Sequence, residues 1–189
     1  MPGKHLIFIV CCLLALLSGC AGTLPVNSYE PQNITRCEGK ALVGNFSYAP
    51  FDKGIVSRPN KIHNTALGSI YISVDVADFV KRATALELEK TGIALSEDAP
   101  YMVEGNIEEF DIDDLGYSVD WTYAITYAIR DRSTNQVAFQ KTFRPAPLHS
   151  GKFGRPSDFS STLSEIILSG YNLFIQDKGA TELLKNAAE

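Results

Sequence analysis

Between positions 117 and 130 the chain alternates without a break. Tyr117, Val119, Trp121, Tyr123, Ile125, Tyr127 and Ile129 take turns with Ser118, Asp120, Thr122, Ala124, Thr126, Ala128 and Arg130. Successive side chains of a strand point to opposite sides, so this run fixes one long strand with a covered face and a wet face. Aromatic residues on the covered side (Tyr117, Trp121, Tyr123, Tyr127) read as core beneath helices rather than as a binding platform. A polar turn over residues 131–136 and a second extended run over 137–143 complete a hairpin. Upstream, residues 41–48 form a first candidate strand that stops before Pro50, residues 93–95 begin a short returning strand, and residues 101–107 alternate well enough for another.

Two segments change to a helical period. Val76, Phe79, Val80, Ala83 and Leu86 recur at helical spacing, with Ser73 or Asp75 to cap the start and Gly92 where a left-handed terminal residue belongs. A last helix begins at Ser157 or Asp158 and runs to Gln176, with Phe159, Leu163, Ile166, Ile167, Gly170 and Phe174 on one stripe; a short turn with Leu183 and Leu184 follows. Residues 51–70 and 145–156, rich in Gly, Pro and polar side chains, read as long loops, with 69–72 extended. The expected fold is α+β: a mainly antiparallel sheet of four to five strands with two helices on one face, in the order β-α-β-β-β-α. Trp121, Ile125 and Ile129 are expected in the core, with Phe79, Val80, Ile166 and Ile167 packed over the sheet.

The N-terminus is of another kind. One lysine and no acid precede an apolar run over residues 6–17, too short to span a bilayer and of signal-peptide length. It ends in Leu17-Ser18-Gly19-Cys20, where small residues suit a peptidase site and the cysteine offers a thiol for acylation. The tetrapeptide resembles the lipobox of bacterial lipoproteins. That resemblance implies cleavage before Cys20, lipidation there, anchoring in a bilayer through the acylated residue, and sorting to the outer membrane, because Ala21 and not aspartate follows. Expected domains are a signal peptide (1–19), a lipidated N-terminus and tether (20–32) and one periplasm-facing domain (33–189).

Charge and motifs narrow what that domain does. With 17 basic and 22 acidic side chains among 189 residues, and no basic run, nucleic acid is excluded as the main partner. Cys11 and Cys12 leave with the signal and Cys20 is acylated, so Cys37 stands alone and reads as a small buried hydrophobe. His63 and His149 lack the spacing of metal ligands or of a catalytic triad, and no nucleotide or nucleophile motif occurs. Residues 108–116 hold five acids without the order of a calcium loop, and read as a solvated strand end. Asn33-Ile34-Thr35 matches a glycosylation acceptor by chance. Residues 148–155 are the one locally basic stretch; Lys152 and Arg155 are its candidate contacts for an envelope protein or for lipid headgroups. No catalytic residue, metal or cofactor is expected.

The stretch from Ile70 to Ile93, IYISVDVADFVKRATALELEKTGI, resembles the YajG-like group of bacterial lipoproteins, and more widely small envelope lipoproteins such as the auxiliary lipoproteins of ABC transport systems. The likeness covers about residues 41–176. It implies a sheet with two helices on one face and a protein that is not an enzyme; the anchor and the lack of catalytic motifs point to a non-enzymatic outer-membrane lipoprotein that binds a protein or lipid component of an envelope transport or assembly system. The alternative is a lipoprotein that binds a small molecule or lipid between helices and sheet.

Overall fold

The computed structural model describes residues 21–24, 29–65, 69–151 and 156–186. In chain order the strands are β1 (Ala21–Leu24), β2 (Gly39–Tyr48), β3 (Lys61–Asn64), β4 (Ser69–Ile72), β5 (Ile93–Leu95), β6 (Tyr101–Asp113), β7 (Ser118–Asp131), β8 (Val137–Phe143) and β9 (Leu148–Gly151). The helices are α1 (Ala49–Asp52), α2 (Val76–Thr91), α3 (Pro156–Ile175) and α4 (Lys178–Asn186).

All nine strands join one mixed sheet. Its axis is the β6–β7 hairpin, paired antiparallel from Tyr101↔Asp131 to Asp113↔Asp120 with a bulge between Ile107 and Glu109. Strands this long carry two shorter partners end to end. Along the outer edge of β6 run β2 and then β3, both parallel to it; along β7 run β8 and then β9, both antiparallel. The sheet continues from β3 to β4 and from β4 to β1, and β5 closes the other side of β2.

This corrects the expected sheet of four to five mainly antiparallel strands with two helices. The additional strands β1, β3, β4 and β9 have four residues each, too few for a period to show; β4 coincides with the stretch 69–72 read as extended, while β1 lies in the expected tether and β3 and β9 in stretches of Gly, Pro and polar residues that read as loops. The parallel pairing of β2 with β5 comes from α2, which returns the chain to the start of β2, so that β5 runs beside it in the same direction. A tight connection, in which the Ser96 amide donates to the Ala41 carbonyl, then carries the chain across to the far side of β2, where β6 continues that direction.

The helices and the core follow the sequence more closely. Helix α2 ends on Gly92 at φ 111°, a conformation that a side chain would strain, and its start at Asp75 carries no side-chain cap bond. Helices α2 and α3 lie together on one face of the sheet. Phe79, Val80, Ile166 and Ile167 are buried there against Trp121, Ile125 and Ile129, as their spacing predicts. A Cβ at Gly170 would come within 2.8 Å of the Tyr123 ring, so α3 owes its close approach to β7 to that glycine. Tyr127 stacks on Phe174 at 4.4 Å between ring centroids, and its hydroxyl lies 3.0 Å from Thr84 Oγ1 on α2. Tyr117 departs from the pattern: it precedes β7 and is fully exposed.

Candidate functional site

A buried carboxylate organises the entry of the chain into the domain. Glu87 falls on the apolar stripe of α2, one turn beyond Ala83, and has no solvent exposure. Its Oε1 accepts from the Tyr29 hydroxyl at 2.6 Å and from the Gln32 amide at 3.0 Å, while Oε2 accepts from the Asn33 amide at 3.0 Å. Burial, and then the bond to Glu87, push the Tyr29 phenol far above its ordinary range. Asn33 Nδ2 donates to Asn172 Oδ1 on α3 at 2.7 Å, and the Cys37 amide donates to the Thr91 carbonyl. Residues 29–37 therefore lie across α2 and α3 as a fastened arm, where part of a tether was expected. Burial raises the Cys37 thiol, in keeping with the small-hydrophobe reading.

Beside the arm is a cleft of about 650 Å³, bordered by Tyr29, Gln32, Ser161, Ser164 and Leu168. The space directly between helices and sheet is otherwise filled by Trp121, Tyr123, Tyr127, Tyr171 and Phe174, all at most 1% exposed.

The helix-free face of the sheet carries a ladder of polar side chains across four strands. Ser47 donates to Asn106 at 2.7 Å, Asn106 to Glu108 at 2.7 Å, Thr126 to the same Glu108 oxygen at 3.1 Å, and Thr126 also lies 2.7 Å from the Thr142 hydroxyl. Farther along, His63 Nδ1 lies 3.0 Å from Asp111, Arg144 pairs with Glu109, and His149 Nδ1 lies 2.8 Å from Asp120. Burial raises the Asp111 carboxyl, an effect that His63 opposes. The acidic run expected as a strand end is thus the open face of β6, with its carboxylates taken up by different partners. Among the described residues no group of three His, Cys, Asp or Glu is placed to hold a metal ion. The Tyr48 hydroxyl is buried near Asp111 and the His63 backbone, and burial raises it.

Cys20, Lys152 and Arg155, the residues to which sequence reasoning gave roles, lie outside the described residues. Their neighbours are placed. Ala21 opens β1 and pairs with Ser69, and Gly151 closes β9 and pairs with Ser118. Glu87 was legible only as an acid on an apolar stripe, and the arm that it holds had no signal of its own. No helix among the described residues is long and apolar enough to cross a membrane.

No protein-family model and no curated protein matches the chain. Its fold is similar to that of protein XCC0632 from Xanthomonas campestris, assigned to the family DUF330, at a TM-score of 0.55 and 16% identity over 80% of this chain and 95% of that one. Looser likenesses are a minor lipoprotein from Acinetobacter baumannii (TM-score 0.44, 13% identity, 76% of this chain and 94% of that one) and the PelC dodecamer from Paraburkholderia phytofirmans (TM-score 0.42, 15% identity, 75% and 90%). The likeness to XCC0632 is one of fold, and none of these neighbours singles out the YajG group.

Proposed function

We propose that this chain is a lipid-anchored bacterial envelope protein whose one folded domain binds a protein or lipid component of a transport or assembly system and performs no chemistry of its own. The observation that carries this reading is that the described fold begins at Ala21, paired in the sheet with Ser69. The residue after the lipobox cysteine is already the first residue of a sheet strand, and the arm that follows is held by a buried carboxylate. A domain joined so closely to an acylated residue is confined to a thin layer above the bilayer, which raises its effective concentration for membrane-bound partners. The acyl chains supply the membrane affinity, at about 0.8 kcal/mol per buried methylene. Ala21 after the cysteine supports the outer membrane, with the domain facing the periplasm.

Cys20→Ser is expected to abolish incorporation of a fatty-acid analogue and to leave the precursor uncleaved; equal labelling of mutant and wild type would contradict the anchor. Lys152 and Arg155 are the proposed partner contacts. Reversing both to Glu is expected to reduce recovery of crosslinked envelope partners, since charge complementarity steers association. Unchanged recovery would remove them from the interface. The cleft beside the arm favours a second reading, a bound small molecule or lipid. Native mass spectrometry showing a retained ligand that is lost on Ser161→Trp would support it.

A further inference from the structure

The order of the strands places the lipidated end of the chain beside the tip of the central hairpin. Ala21 pairs with Ser69 at the start of β4, Ile70 pairs with Ile62, and the next residue of β3, His63, pairs with Asp111. The start of β1 is therefore level with Asp111, only two residues before β6 ends. From β6 to β1 is three strand spacings, about 14 Å. The β6–β7 tip, residues 114–117, projects past that level by about 10 Å at ordinary strand rise. It carries Leu115 at 71% exposure and Tyr117 at 100%. Two exposed apolar side chains within three residues are unusual where a polar turn would be expected, and tyrosine is a residue that settles at membrane–water boundaries.

We infer that the β6–β7 tip is a second membrane contact, with Leu115 and Tyr117 entering the headgroup region of the bilayer that receives the acyl chains of Cys20. This rests on the lipid-anchor reading. The occupant follows from position: a bilayer that holds residue 20 lies at the end of the sheet from which the tip projects. The carboxylate of Asp113, which accepts from the Leu115 amide at 3.0 Å, shapes the turn and stays at its base. The two contacts lie on either side of the β3–β6 junction, so together they fix the tilt of the sheet, which a single acylated residue cannot do.

The test uses the acylated full-length protein in protein-free vesicles of phosphatidylethanolamine and phosphatidylglycerol. An environment-sensitive fluorophore is attached through Leu115→Cys, or through Ser133→Cys in the turn at the opposite end of the hairpin. A fatty-acid label on the same samples reports acylation. The probe at 115 is expected to shift its emission to shorter wavelength and to be quenched by lipids brominated in the upper acyl chain, while the probe at 133 shows neither effect. Adding Tyr117→Asp is expected to reverse both changes at 115. Labelled, vesicle-bound protein whose probe at 115 behaves like that at 133 would overturn the membrane contact and leave the anchor standing. Protein that carries no fatty acid would overturn the anchor reading instead.

Discussion

At the residue scale one side chain takes the largest share of the arm's hydrogen bonds. A carboxylate with no solvent exposure needs hydrogen-bond donors around it, and Glu87 finds them in Tyr29 and in the amides of Gln32 and Asn33. Glu87→Ala leaves those donors without an acceptor, and a buried unsatisfied group costs about 1–3 kcal/mol. The variant is expected to lose about 3 kcal/mol or more in urea denaturation. Amide exchange at Gln32 and Asn33 should accelerate, because the arm is freed before the domain unfolds. Glu87→Gln, which keeps one carbonyl acceptor for Tyr29, should lose less. Unchanged exchange in the alanine variant would show that the arm is held by other contacts.

At the scale of elements, the long ones were legible by period and two short ones, β4 and β5, only as apolar extended runs. The 14-residue β7 and the 16-residue α2 showed their periods plainly, because each buries one side along its whole course. The four-residue strands β1, β3 and β9 did not, since a run that short shows no period and each takes its place by pairing with another strand, β1 and β9 with strands remote in sequence. Strand β6 extends through the acidic run because its carboxylates face the open side, where Lys53, Arg144 and His63 meet them, while Phe110 and Ile112 keep the alternation on the covered side. Glu87 shows the converse. An acid on an apolar stripe reads as a break in the pattern, and its meaning appears only when a remote segment supplies the donors.

At the scale of the whole molecule, burial of tyrosines gives stability an alkaline limit. Burial is the largest cause of the raised values of Tyr29, Tyr48, Tyr123, Tyr127 and Tyr171, whose phenols would otherwise ionise near 10. A folded-state value above the unfolded one means that stability is full below the unfolded value and falls as pH rises past it. Each such group removes up to about 1.4 kcal/mol per pH unit. The urea midpoint is expected to stay level in this respect up to about pH 10 and then drop steeply, with most tyrosinate absorbance appearing as structure is lost. Tyrosinate absorbance from these five residues in a still-folded protein would contradict their burial.

On the proposed reading, the acylated Cys20 is followed at once by β1, so that no free tether separates anchor from sheet. The height of the acylated protein above a supported bilayer tests this most directly, measured by energy transfer from a donor on Ser133→Cys to acceptors in the membrane surface. The wild type is expected to give one narrow distance, and a flexible insertion of about a dozen residues between Cys20 and Ala21 should broaden and lengthen it, since a flexible chain of n residues spreads over about 5–6 Å × √n. A wild-type distribution already as broad as that of the insertion variant would contradict the account.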